Sequence, residues 1–141
     1  MIKHKRKSGS AMVEFALIAP LLILVLLGIM VMGIMINSKI VVAGAARDAG
    51  RTWAIYKQDA MARDRAADAI RDGGLKWAAD GKVLFEPGRD VHFTSRGGGW
   101  IEATVTYKQP VFVPLIAELL EGVGADGLVT LRSTAIFKVE R

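Results

Sequence analysis

The sequence has 141 residues, of which 52% are hydrophobic and 23% are charged, and its formal net charge at pH 7 is +5. This length accommodates one small domain and one additional element, which argues against a multidomain protein. The chain contains no cysteine, so it has no disulfide framework, and its two histidines, His4 and His92, are too few for a metal site. No cofactor is expected.

The basic charge lies mainly in front of the apolar part of the chain. Lys3, Lys5, Arg6 and Lys7 precede it, and the other 15 of the 19 Lys and Arg residues nearly balance 13 of the 14 Asp and Glu residues from Lys39 onward. A basic segment beside an apolar one indicates that the N-terminus is cytoplasmic and that the chain after the apolar run lies outside. Nucleic acid is therefore not an expected partner.

A long apolar run follows the basic leader. The 24 residues from Phe15 to Ser38 include no charged side chain. As a helix rising about 1.5 Å per residue they extend roughly 36 Å, enough to cross a hydrocarbon core of about 30 Å. The apolar region of a secretory signal peptide is shorter, about 7 to 15 residues, although the small residues 43–45 would suit a cleavage site. We therefore predict a transmembrane helix that is retained.

The helical pattern continues beyond the apolar run. Apolar or small residues recur at steps of three and four, interrupted only by Arg63. They are Val42, Ala46, Ala49, Trp53, Tyr56, Ala60, Ala67 and Ile70. Three acid–arginine pairs solvate the opposite face: Asp48 with Arg51, Asp59 with Arg63 and Asp68 with Arg71. Because Gly73 and Gly74 end the pattern, one continuous helix from about residue 11 to about residue 72 is predicted.

Short β-prone runs follow this helix. Residues 82–86 and 90–94 are separated by Pro87 and Gly88, which predicts a hairpin. Residues 101–107 alternate between apolar and polar side chains, which predicts a strand with one apolar face. The glycines at 97–99 lack the lysine of a phosphate-binding loop and predict a flexible hairpin tip.

The last third of the chain contains one further strand. Residues 110–114 predict an irregular link, residues 115–121 a short helix, and the glycines from 122 to 127 a loose turn. Residues 129–139 alternate again, which predicts a long terminal strand. The expected fold class is α+β, with a helix followed by an antiparallel sheet.

Glu14 and Pro20 are the unusual residues of the apolar helix. An ionised carboxylate such as Glu14 within a membrane helix costs about 2.5–3.5 kcal/mol, so its presence in this segment has to be explained. Either Glu14 lies at the interface near Lys7, or it meets a partner charge within the membrane. Pro20 cannot donate a hydrogen bond to Ala16 and crowds its carbonyl, which predicts a helix kink.

The segment around Glu14 resembles a known processing junction. Residues 7–15, KSGSAMVEF, are similar to the junction of type IV pilin-like precursors, in which a glycine after a basic leader precedes a glutamate by five residues. Residues 13–20, VEFALIAP, most resemble the TadE-like pseudopilins of tight-adherence (Flp-type) pilus systems. Residues 45–51 resemble the Ala-Arg-rich segment of that family, with Asp48 where glutamate is common and Gly50 after Ala49 in reversed order.

This resemblance implies roles for individual residues. A prepilin peptidase would cleave after Gly9, where a missing side chain admits the protease, and Ser10 would become the N-terminus. Glu14, with Phe15 beside it, would dock a neighbouring subunit through its Ser10 amine. The implied regions are a leader at 1–9, the transmembrane half of the helix at 10–38, and an extracytoplasmic domain at 39–141.

The resemblance also implies a pilin-like fold, in which a long N-terminal helix, transmembrane and then amphipathic, packs on a small antiparallel β-sheet. The expected function is that of a minor pilin-like subunit needed for pilus biogenesis, not an enzyme. Its partners would be a prepilin peptidase, other pilin-like subunits and the assembly platform in the inner membrane. The alternatives are an uncleaved membrane-anchored binding domain and a secretion-system pseudopilin.

Overall fold

A computed structural model describes residues 7–111 and 127–139 of the chain. The elements in chain order are α1 (Lys7–Tyr56), α2 (Asp59–Asp72), β1 (Ala78–Ala79), β2 (Lys82–Val83), α3 (Pro87–Asp90), β3 (Val91–Gly97), β4 (Trp100–Pro110) and β5 (Leu128–Lys138). The predicted α+β class, a long N-terminal helix packed on a small antiparallel sheet, is confirmed.

The prediction of one continuous helix to residue 72 is wrong, because the chain reverses direction at Lys57 and Gln58. Lys57 adopts a φ of 55° between α1 and α2. The indole N–H of Trp53, near the end of α1, donates to Asp59 Oδ1 at 2.6 Å, whereas the other end of α2 leads to Gly73, which lies against Val41. The two helices therefore form an antiparallel hairpin.

The buried faces of the two helices explain this hairpin. They include Val42, Ala46, Ala49, Ala67 and Ile70 of the predicted stripe, whereas Tyr56 and Ala60 of that stripe are exposed. On α1 the buried face contains Val42, Ala45, Ala46 and Ala49, and on α2 it contains Ala62, Ala66, Ala67 and Ile70. Alanine side chains permit close approach of two helices, so each helix buries the apolar face of the other. A spacing of three and four residues is preserved across a two-residue break, which is why periodicity alone suggested a single rod.

The main sheet has the order β3-β4-β5 and is antiparallel throughout. The predicted strand at 101–107 is confirmed within β4, where Ile101, Ala103, Val105 and Tyr107 are at most 2% exposed. The predicted hairpin tip is also confirmed, since Gly97 pairs with Trp100 and the glycines at 97–99 all have positive φ. In β5 the odd-numbered residues from 129 face the helices and the even-numbered ones face outward, as predicted.

The predicted hairpin between residues 82–86 and 90–94 is wrong. β2 pairs with β1, and the proline that was expected to begin a turn instead begins the short helix α3. Proline is favoured in the first turn of a helix because its missing N–H needs no partner there. The buried carboxylate of Asp90 accepts a hydrogen bond from the Glu86 N–H at 2.8 Å and pairs with Arg89, which closes the helical turn.

The core lies between the helical hairpin and the sheet. Leu84, Phe85, Val91, Val105 and Tyr107 pack there against the buried faces of α1 and α2. Gly50 lets α1 lie close to the sheet, because a Cβ at this position would lie 2.6 Å from the Phe137 ring. The departure from the expected order of Ala49 and Gly50 therefore has a packing reason.

Parts of two predictions lie outside the described residues. Pro110 ends β4, but residues 112–114 of the predicted link, the predicted helix at 115–121 and most of the following turn are not covered. Residues 1–6 of the basic leader also lie outside the described part of the chain.

Two of the three predicted ion pairs are present: Asp68–Arg71 has a separation of 3.0 Å and Asp59–Arg63 one of 3.9 Å. Within the described part of the chain, Asp48 and Arg51 do not form the third ion pair.

Candidate functional site

The N-terminal half of α1 stands free of the rest of the fold. From Gly9 to Met30 every residue is exposed except Ala19 and Gly28, which are partly covered. Met12 and Leu17 keep 74% and 75% of their surface accessible. An apolar surface of this extent has to be covered by lipid or by other helices. The packing of the second half of α1 with α2 and the sheet leaves this half-helix entirely available for such contacts.

This helix is the one in the described residues that is long and apolar enough to cross a membrane. It extends from Gly9 to Tyr56, and its most apolar window has a mean hydropathy of 2.9 with none of it buried. A core helix of a soluble domain would be buried over such a window. The helix is therefore compatible with a single-pass membrane anchor.

Gly9 and Ser10 lie in the first turns of α1 and are both exposed. A Cβ built at Gly9 has no atom within 4 Å, so the position is not enclosed by any other described part of the chain. The structure brings no other element to this predicted cleavage site. Its accessibility is consistent with a protease acting from outside the fold.

Glu14 lies one turn after Ser10 on the same face of α1. The Ser10 hydroxyl donates to Glu14 Oε1 at 3.2 Å. Glu14 is exposed on the free half of α1, and Phe15 beside it is 70% exposed. Both side chains are therefore accessible to another molecule, and their role in docking stays a prediction.

Pro20 lies within α1, which is helical on both sides of it. Its ring removes the backbone donor to Ala16, as it does in any helix interior. The helix is not interrupted at this point, so local unwinding is not seen. The predicted kink stays a prediction.

Ser38, the last residue of the uncharged run, joins the free half of α1 to the sheet. Its hydroxyl donates to Gln109 Oε1 at 2.6 Å and lies 3.0 Å from the Ile34 carbonyl. Ser38 is 1% exposed and Gln109 is 5% exposed, so this is a buried polar contact. Sequence analysis missed it, because a serine at the end of an apolar run gives no sign of a partner 71 residues away.

We expect Ser38→Ala to lower the free energy of unfolding by about 1 kcal/mol, because Gln109 Oε1 would lose its buried donor. Chemical denaturation in detergent micelles, followed by tryptophan fluorescence, measures the change. The double variant Ser38→Ala/Gln109→Met removes both polar partners and should recover most of the loss. Equal destabilisation by the single and the double variant would contradict the assigned role of this contact.

Four ionisable groups of the described residues have shifted pKa values, and Tyr107 and Glu102 are two of them. Burial raises the pKa of Tyr107, whose hydroxyl donates to the Lys76 carbonyl at 3.1 Å. The guanidinium of Arg96 lowers the pKa of Glu102, its ion-pair partner beside the β3–β4 turn. Both groups support the fold. Within residues 7–111 and 127–139, no cluster of three or more His, Cys, Asp or Glu side chains is placed to hold a metal ion.

Comparison with known proteins finds one family similarity, and it lies in the N-terminal segment. Residues 9–51 match the family described as TadE-like protein. No curated protein and no solved structure matches the chain. The matched segment begins at Gly9 and ends at Arg51, so it contains the free half of α1 and the part that packs on the sheet.

Proposed function

We propose that this chain, a TadE-like protein of a tight-adherence pilus system, is a minor pilin-like subunit needed to build the pilus. One observation carries the proposal. The first half of α1 exposes its apolar surface, whereas the second half is held in the core of the outer domain. A subunit of this shape can pack its free helix among the helices of other pilin-like subunits while its outer domain stays folded.

The proposal includes processing by a prepilin peptidase after Gly9. The open surroundings of Gly9 support this step, since a protease needs close access to the peptide between Gly9 and Ser10. Cleavage would give Ser10 an α-amino group with a reference pKa of about 8, which is largely protonated at neutral pH. It would also remove the basic leader at residues 1–9, and with it the four cations Lys3, Lys5, Arg6 and Lys7.

Glu14 and Phe15 would then act in docking. In a helix array, the Ser10 ammonium of one subunit would meet the Glu14 carboxylate of its neighbour. The exposure of both residues on one face of α1 supports this pairing. The pair would be strong within the membrane, where the low dielectric raises the attraction between opposite charges.

The same proposal gives a location and partners. The chain would cross the inner membrane once, with its N-terminus in the cytoplasm and residues 39–141 outside. Its partners would be a prepilin peptidase, other pilin-like subunits and the assembly platform, and its contribution to cell adhesion would follow from the pilus that it helps to build.

The mass of the mature chain tests the proposal. We expect protein purified from cells with the cognate prepilin peptidase to begin at Ser10, as determined by N-terminal sequencing and intact mass. Cells with a catalytically inactive peptidase should yield a chain that retains residues 1–9. Retention of these residues in the presence of the active enzyme would contradict processing and would favour an uncleaved membrane-anchored binding domain.

A further inference from the structure

The outer domain reaches down to the level at which α1 leaves the membrane. About 20 residues of helix cross a hydrocarbon core of about 30 Å, and the placement proposed above puts this span within residues 10–38, so that it ends near Ser38. Val31, Ile34 and Met35 line one small cavity together with Gln109, Pro110 and Val111 at the end of β4. Val31 is only 8% exposed. With that placement, the lower end of the domain lies at the level of the headgroup layer.

A larger cavity opens at this end of the domain. Its volume is about 450 Å³, and it lies between residues 33–38 of α1, the β1–β2 turn and the end of β4. Its polar lining includes Asn37, Lys76, Asp80 and Gln109, and its apolar lining includes Leu84. We name it the basal cavity.

Lys76 is the residue that indicates which kind of ligand the basal cavity can bind. Its side chain is exposed and forms no hydrogen bond or ion pair with any residue that the structure describes. Lys39, two residues after Asn37, points away from the basal cavity, and its ammonium donates to the Arg132 carbonyl of β5 at 2.7 Å. Asp80 is the one acidic side chain that lines the cavity within the described residues.

From these contacts we propose that the basal cavity binds the headgroup of an anionic phospholipid from the leaflet next to the outer domain. Lys76 pairs with the lipid phosphate, and the exposed Asn37 offers an amide donor to the glycerol and phosphate oxygens. Ile34 and Leu75, which are partly exposed in the lining, contact the start of the acyl chains. One lysine near an anionic membrane surface contributes about 1 kcal/mol to binding.

A neighbouring transmembrane helix fits the basal cavity less well than a lipid does. Residues 15–38 of a second copy carry no charge that could pair with Lys76. A phospholipid supplies both the anionic group and the apolar tail, and the membrane holds it at the required depth. The inference rests on the membrane placement proposed above, but not on cleavage or pilus assembly.

A photoreactive label tests the site in the full chain. Because the sequence has no cysteine, Ala79→Cys in the basal cavity provides a single attachment point for a benzophenone. In vesicles that contain phosphatidylglycerol and phosphatidylcholine, irradiation should give a mass increase of one phospholipid. Adding Lys76→Gln should lower this yield about fivefold, as expected for one lysine near an anionic surface. Lys138→Gln, at the opposite end of β5, should leave it unchanged.

Two further labels separate the possible outcomes. A label at Ile23→Cys, within the free half of α1, should react with lipid if the helix is in the membrane, and one at Ala54→Cys, near Phe137, should not. If Ile23→Cys reacts with lipid while Ala79→Cys yields no adduct or a cross-linked dimer, the lipid site is wrong and the membrane placement stands. If Ile23→Cys does not react with lipid, the membrane placement itself fails, and the lipid site fails with it.

Discussion

Glu14→Gln should be processed normally but should lower pilus assembly by on the order of a hundredfold, because removing one partner of a buried ion pair costs about 3–5 kcal/mol. The neutral amide keeps the shape of the side chain and removes the charge that the Ser10 ammonium of the neighbouring subunit needs. The amount of surface pilin measures the effect in cells whose only copy of the gene encodes the variant. Mass spectrometry of the same samples measures cleavage separately.

A matched carboxylate outside the free helix provides the control. Asp64 is exposed on α2 and has no hydrogen bond or ion pair among the described residues, so Asp64→Asn should leave assembly unchanged. Normal amounts of surface pilin with both Glu14→Gln and Glu14→Ala would show that Glu14 does not dock subunits. Glu14 would then be an interfacial residue whose charge is accommodated by the headgroups.

Gly73→Ala should lower the free energy of unfolding by about 1–3 kcal/mol, the usual range for overpacking a core. A Cβ at this position would lie 2.3 Å and 2.7 Å from the two Cγ atoms of Val41. Valine is stiff at χ1 in a helix, so the side chain cannot rotate away without strain. The cost does not come from the backbone, since Gly73 has a φ of −73°, which any residue adopts.

Two variants show whether this contact is responsible. Val41→Ala combined with Gly73→Ala removes the branched side chain and should restore most of the stability. Gly44→Ala is the matched control, because a Cβ there meets no atom within 4 Å and alanine is favoured over glycine within a helix by about 1 kcal/mol. Denaturant midpoints in one detergent measure all four proteins. Equal stability of Gly73→Ala and the unmodified chain would contradict the close packing of the helical hairpin at its lower end.

Some features of the fold are encoded locally and could be predicted from residue order. An uncharged stretch long enough to cross a membrane defines the span, and period-two alternation defines β4 and β5, because both depend on near neighbours in the chain. The junction at Gly9 and Glu14 is also a linear signal, and the family match over residues 9–51 confirms the resemblance that it suggested.

Other features depend on distant parts of the chain. Asp59 starts a second helix that bonds back to Trp53, yet the periodicity of the sequence is the same for a straight and for a folded helix. Pro87 and Gly88 suit a turn and also a short helix, and Asp90 decides between them by accepting the Glu86 N–H.

The sequence by itself predicted the apolar segment long enough to cross a membrane, the two long strands of the main sheet and the similarity of residues 9–51 to the TadE-like family, since each follows from a local pattern. Only the tertiary structure decided that the helix folds back, that Ser38 bonds to Gln109, and that Lys76 and Asn37 line one cavity. The physical reason is that these features require burial and hydrogen bonding between residues far apart in the chain. Such contacts produce no periodic pattern in the sequence around either residue.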